Sequence, residues 1–550
     1  MRAKQGLFKG LNPTVTVWSL LIVMAFVALC ASQGEQAASV FKSASDAILD
    51  NLKWFYIALV SGVLGLLVVV AFSRYGTLRL GQPDEKPEFS FPAWISMLFS
   101  AGMGVGLIFW SVAEPVLHYA SNPFTPGLSD QAAAMAMRLT LFHWGLHPWA
   151  IFTIIGLGLA YFAYREGLPL ALRSILYPLI GQRIYGPIGH TVDIIGAAVT
   201  AFGVSQSLGM GVEQINAGLK DVFGVPVSLS FKLGIIAVVT LVASISLVAG
   251  LSKGMKRLCT LNMWISIGLM LVVLALGPTR YLLNLVLESA GDYLQNIVGL
   301  SFWTDSQGDS GWQNSWTAFY WPWWMTWGPF VGLFIARISR GRTIRELVFG
   351  ALLVPTLVTM IWMGVFGGSA LKDEQQTRLA HAALPVAEQS VQTPFTGGPI
   401  LEATRRDTTT AMFTLLGRLD GPAIGGILSI IVCLLLAVHF VTAADAGTQV
   451  LCMLNSLGSI DPPNWLRVLW CVLEGAIAAS LIIAGGLLAI QMASIVVGLP
   501  IALYMLLASY SLARSLRAHE GSVTLGTPAH MGPERSKHTG VPLMQAQEQR

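Results

Sequence analysis

The chain has 550 residues, 54% hydrophobic and 11% charged, with a formal net charge of +4 and a mean hydropathy of +0.64. A soluble domain of this size would carry about a quarter charged residues, so that class is excluded, and nothing in the charge balance calls for a nucleic-acid partner. Apolar runs long enough to cross about 30 Å of hydrocarbon recur along the whole length, which makes this an all-α polytopic membrane protein.

Twelve spans can be drawn, at 14–33, 53–74, 91–118, 138–163, 189–217, 230–250, 258–279, 316–337, 344–367, 422–450, 466–486 and 489–512. The first follows Arg2, Lys4 and Lys9; it is too long for a signal h-region and many spans come after it, so it is read as a transmembrane helix. Loops 74–90, 164–187, 251–257 and 337–346 are rich in Arg and Lys, whereas 281–315 is not. By the positive-inside bias both termini are cytoplasmic, in a bacterial inner (plasma) membrane. The five cysteines have no metal or redox spacing and read as free structural thiols.

The third span contains SAGMGVG, Ser100–Gly106. Its functional reading is an unwound stretch at Gly102, Met103 and Gly104 whose amides hold a substrate carboxylate or whose carbonyls hold a cation; its plain reading is close helix packing. The fourth span reads FHWGLHPWAIF, with Trp149 and Phe152 on one face, Trp144 five positions before Trp149, and Pro148 expected to bend the chain. His143 and His147 flank these rings as core histidines. In the fifth span Glu213 reads either as a proton carrier or as a solvated helix cap.

Between 280 and 315 the apolar stretch is too charged to span and reads as an amphipathic helix at the outer surface. The eighth span follows, with Trp316, Trp321, Trp323, Trp324 and Trp327 crowded around Pro322, Gly328 and Pro329. Indole faces hold cations that cannot donate hydrogen bonds, such as quaternary ammonium groups. The prolines and glycine predict a break where those rings are densest. Paired with the third-span motif five spans earlier, this predicts inverted five-helix repeats of the leucine-transporter type preceded by two extra helices.

Segment 369–420 reads as a long extracytoplasmic loop. The tenth span reads AVHFVTAADAG, where Asp445 is expected to brace an inner gate. The tail beyond Ala518 has a disordered composition. The expected organisation is a cytoplasmic N-terminus at 1–13, two extra helices and a linker at 14–90, a first repeat at 91–288, an outer amphipathic helix and loop at 289–315, a second repeat at 316–512 and a cytoplasmic tail at 513–550.

SAGMGVGLIFWSVAEPVLHY, LFHWGLHPWAI and FYWPWWMTWGPFVGLFIARISRGRTIRE together resemble the betaine/carnitine/choline transporter family, over about 79–512. The resemblance implies a homotrimer of twelve-helix protomers working by alternating access, and an aromatic box at Trp144, Trp149, Phe152 and Trp324 with Trp323 and Trp327 adjoining. Relatives often carry tyrosine where Phe152 stands. It also implies that Gly106, which is aspartate in some choline carriers, favours a zwitterion such as glycine betaine over choline or carnitine. A sodium site would use carbonyls near Ser100, Met103 and His439 and the Thr442 hydroxyl. Ala443 stands where a serine is usual, so sodium coupling, proton coupling and exchange all stay open. No cofactor is implied beyond a coupling ion, sodium or proton. A channel would need a filter or a ring of like residues, and a membrane enzyme would need a nucleophile with its base or a metal cluster; neither pattern is present.

Overall fold

The computed structural model describes residues 2–102, 104–248, 252–308, 311–384, 395–459 and 462–524, without the side chains of 101–102, 252–257 and 519–524. Among the described residues no strand forms. The helices are α1 (Pro13–Gln33), α2 (Glu35–Phe72), α3 (Phe91–Gly102), α4 (Val105–Ala120), α5 (Asp130–Trp144), α6 (Leu146–Ala160) and α7 (Pro187–Phe223). They continue as α8 (Leu229–Val248), α9 (Ser252–Leu276), α10 (Thr279–Phe302), α11 (Thr317–Ile338), α12 (Ile344–Ala382), α13 (Pro399–Arg406), α14 (Ala411–Leu419), α15 (Pro422–Asn455) and α16 (Asn464–Thr524). Among the described residues nine helical segments, with α5 and α6 taken together as Asp130–Arg165, are long and apolar enough to cross a bilayer, or ten if the bent pair α3–α4 is one span. Every expected span overlaps a helix; the third crosses the α3–α4 bend and the fourth the junction of α5 and α6. The helix α16 carries two of them, separated by non-helical Gly485 and Gly486. At Gly486, φ is +61°, a conformation that costs glycine little.

Helix ends follow local chemistry. Asn12 caps α1, accepting from the Val15 amide ahead of Pro13 at the first helical position. Thr343 and Glu346 form a reciprocal capping box at the start of α12. The loop after α11 is tied to the loop after α2: Leu80 N donates to Arg342 O, Gly341 N to Leu80 O, and Arg337 and Arg340 pair with Glu88 and Glu85. Two loops assigned to one face by their basic residues therefore touch.

Four expectations need correction. The tryptophan segment is not broken: α11 is helical from Thr317 to Ile338, through Pro322 and Pro329. Proline removes one ladder bond, and such a loss is tolerated in a membrane helix that neighbours pack around; here α6, α7 and α16 surround α11. Thr326 Oγ1 also donates to Trp323 O at 2.6 Å. Pro148 does not bend the fourth span, because it lies in the first turn of α6, where its missing N–H is not needed. The break is at Gly145, where any Cβ would sit 2.5 Å from Leu141 O and 2.9 Å from the Tyr293 hydroxyl. Segment 369–420 is no simple loop: α12 runs to Ala382, and α13 and α14 follow. Buried Glu374 accepts from the amides of Gly398 and Leu401 at the start of α13, where the helix dipole favours an anion. Finally, α16 continues to Thr524, past the point where disorder was expected.

The helix α10 begins at Thr279 and lies against α5 and α12. Arg138 grips Asp292 with two bonds of 2.5 and 2.6 Å across that contact.

Candidate aromatic binding site

The centre of the bundle holds a cavity of about 260 Å³. Its wall is aromatic because α6 and α11, packed side by side, present their rings to the same space. Trp144, Trp149, Phe152, Trp323, Trp324 and Trp327 all line it. Trp323 stacks on Trp324 with centroids 4.6 Å apart, and Trp144 meets Trp324 edge-on at 4.9 Å. Phe152 stands nearly perpendicular to both Trp149, at 5.3 Å, and Trp324, at 6.1 Å. Aromatic rings gathered around one cavity form a wall that suits a cation without hydrogen-bond donors.

The break between α3 and α4 supplies the opposite wall. The two segments meet at 59°, and Ser100, Gly104 and Gly106 line the cavity. Gly102 is the last residue of α3, and Met103 lies outside the described residues. Gly106 has a steric role that spacing alone did not reveal: a Cβ there would lie 2.9 Å from Trp323 Cη2 and 3.3 Å from Trp144 Cη2. The bare backbone lets α4 approach the rings.

His439, Thr442 and Ala443 line the same cavity from α15. The Thr442 hydroxyl donates to the carbonyl of Val438 or His439, at 3.1 and 3.0 Å, so its lone pairs stay free to accept. Nδ1 of His439 is 3.1 Å from Leu435 O, which puts the proton on that nitrogen and leaves Nε2 as an acceptor. A second cavity, about 50 Å³, also touches Ser100, His439 and Thr442, and adds Asn262 and Ser266 from α9. Asn262 Oδ1 is buried without a partner. Sequence reasoning missed both α9 residues, since lone Asn and Ser in an apolar run carry no spacing signal.

Glu213 is not part of this site. It forms a 2.6 Å ion pair with Lys232 on α8. Asp445 accepts from Ser246 at 2.9 Å. His147 meets the Ser301 hydroxyl at 2.9 Å, and His143 meets Thr317 at 2.9 Å and Glu114 at 2.7 Å.

Glu114 is the residue that sequence reasoning overlooked. It lies in the apolar run of the third span, and a lone acid there, with His118 four residues on, was the available signal. Ligand atoms of Glu114, His118 and His143 lie within 4.8 Å of one another, close enough to suggest a metal centre. The carboxylate is already saturated, however: Trp144 Nε1 and the Tyr320 hydroxyl donate to Oε2, and both imidazoles meet Oε1. The trio reads as a hydrogen-bonded cluster.

Known proteins resemble this chain along most of its length. A model of the betaine/carnitine/choline family transporters matches residues 14–521. The chain is 41% identical over 509 residues to a probable glycine betaine transporter of Desulfitobacterium hafniense, covering 92% of this chain and 97% of that one. It is 42% identical over 481 residues to a glycine betaine transporter of Bacillus subtilis, covering 87% and 89%. An osmo-dependent choline transporter of Acinetobacter baylyi is 38% identical over 517 residues, covering 93% and 72%. This polytopic membrane protein belongs to the betaine/carnitine/choline family of transporters.

Proposed function

We propose that the chain is a secondary active importer of a quaternary-ammonium compatible solute, glycine betaine or a similar zwitterion, working by alternating access. The carrying observation is the cavity of about 260 Å³ walled by crossed indole and phenyl rings. The relatives named for glycine betaine support the zwitterion. The indole N–H groups of Trp144 and Trp324 are committed to Glu114 and to His143 O, whereas Nε1 of Trp327 is buried without a partner. That N–H suits a carboxylate. Choline is the second reading, favoured by the likeness to a choline transporter.

The cavity lining extends along α11 to Phe334 and along α15 to Ala446, toward the helix ends that the basic loops place at the cytoplasm. On the other side the turn from Trp316 to Tyr320 is packed against His118 and His143. This supports an inward-facing state. We carry forward as proposals a homotrimer, cytoplasmic termini in the bacterial inner membrane, the inverted repeats at 91–288 and 316–512, and sodium or a proton as coupling ion. The direct test is uptake of labelled glycine betaine, choline and carnitine into proteoliposomes, with and without sodium. Saturable betaine uptake that shows counterflow is expected; linear, non-saturating flux of all three would contradict a carrier.

A further inference from the structure

Glu114 on α4 has no solvent exposure, and its carboxylate is held by side chains from α4, α5 and α11. Oε2 accepts from the Trp144 indole at 2.7 Å and from the Tyr320 hydroxyl at 2.5 Å. Oε1 meets Nδ1 of His143 at 2.7 Å and Nε2 of His118 at 3.2 Å.

The hydrogen count accommodates an ionised carboxylate. An indole N–H can only donate, so Oε2 accepts. The Thr317 hydroxyl lies 2.9 Å from Nε2 of His143; when it donates there, the ring proton sits on Nδ1, toward Glu114. Nδ1 of His118 is buried without a partner. A proton there would leave a buried donor unsatisfied, so His118 carries its single proton on Nε2. With both imidazoles neutral in these tautomers, four donors face the carboxylate, an arrangement that stabilises its ionised form. The ion-pair contacts of Glu114 among the described residues are with these two rings alone. In that form the cluster holds one negative charge, buried next to Trp144 of the cavity wall.

We infer that Glu114 sets the charge selectivity of the cavity, its carboxylate giving the aromatic wall a counter-charge that favours a permanent cation over a neutral molecule of the same shape. The inference rests on the reading that the cavity takes a quaternary ammonium group. Two effects act in the same direction. An N–H···O⁻ bond pushes electron density onto the Trp144 ring that lines the cavity, which strengthens its attraction for a cation. The charge also acts directly through a poorly polarisable interior. Glu114 does not itself line the cavity, so it is a positioning residue that works through Trp144.

The test compares choline with its neutral carbon isostere, 3,3-dimethylbutan-1-ol, by tryptophan-fluorescence titration of the purified full-length protein. Wild type is expected to bind choline more tightly. Glu114→Gln keeps the shape, with its oxygen toward Trp144 and Tyr320 and its NH₂ toward His143, whose ring can switch tautomer against Thr317; His118 loses its acceptor, a cost borne by the fold and not by either ligand. The substitution should lower choline affinity roughly tenfold and leave the isostere unchanged. Tyr320→Phe removes one donor but keeps the charge, so the choline-to-isostere ratio should persist even if both bind more weakly. Equal losses for both ligands in Glu114→Gln, no change in either, or a collapsed ratio in Tyr320→Phe would each overturn the inference. Should Glu114→Gln not fold, the ratio in Tyr320→Phe decides. Wild type binding the isostere as tightly as choline would overturn charge selectivity while leaving the binding site standing. Wild type binding neither choline nor glycine betaine would instead remove the functional reading, and this inference with it.

Discussion

The indole N–H of Trp324 donates to the backbone carbonyl of His143 at 3.0 Å. The last carbonyls of a helix lack partners within it, and α5 ends one residue later because Gly145 interrupts the span. Trp324 satisfies one of these orphaned groups; the Thr359 hydroxyl lies 3.0 Å from the next, Trp144 O, and 2.9 Å from Thr356 O, and shares its one hydrogen between them. The helix break in the fourth span and the tryptophan cluster of the eighth are therefore one construction: the break frees a carbonyl, and the carbonyl orients the ring.

Gly106 is expected to resist any side chain, charged or not. A Cβ at this position meets Trp323 at 2.9 Å, so the ring must move. Overpacking of this kind costs about 1–3 kcal/mol. Gly106→Ala should raise the betaine Kd roughly tenfold, and Gly106→Asp should weaken betaine further through repulsion of its carboxylate. Binding isotherms for the two variants check this. An alanine variant with wild-type affinity would show that the box rings do not depend on this approach.

Ala443 offers no oxygen next to Thr442, so sodium dependence is expected to be weak in wild type and stronger in Ala443→Ser. A hard cation needs several oxygen ligands. The oxygens near the second cavity include Thr442, Ser100 and Asn262. Initial uptake rate against sodium concentration, at fixed pH and voltage, gives the comparison. A steep, saturating dependence in wild type would mean that the remaining oxygens suffice.

The contact between the loops after α2 and α11 should weaken in acid. Arg337 holds the Glu88 carboxylate through bonds of 2.7 and 2.8 Å, which keeps its pKa below the ordinary 4.5. A lowered pKa stabilises the folded state above the unfolded value, and that stability is lost as pH falls through the folded one. Both groups are more than a third exposed, so the effect is small, at most about 1 kcal/mol after solvent screening. Glu88→Gln should lower Tm slightly at pH 7, and the difference from wild type should shrink as the pH falls below 4.5 and vanish once it has passed the lowered folded-state pKa. A difference that persists or grows in acid would assign the stability to another group.

The spans were legible because bilayer-crossing helices need long apolar runs, and the rings were legible because five tryptophans in twelve positions have few other uses. Continuity was not legible. Whether Pro322 breaks a helix depends on what packs around it, and the neighbours of α11 come from α6, α7 and α16, distant in sequence. The position of the fourth-span break turned on Tyr293, which crowds Gly145 from α10. Glu114 was hidden for the same reason: its four partners lie on three helices, and only the fold brings His143, Trp144 and Tyr320 to it.

The central claim is that the crossed rings hold a trimethylammonium group, and the most direct measurement is the Kd of glycine betaine for wild type and Trp324→Leu, by calorimetry on monodisperse protein. Leucine keeps an apolar wall but removes the ring that touches Trp144, Phe152 and Trp323. A cation–π contact in a desolvated site contributes about 2 kcal/mol or more, so affinity should fall roughly thirty-fold or beyond. Betaine binding by Trp324→Leu within a factor of two of wild type would contradict the aromatic site.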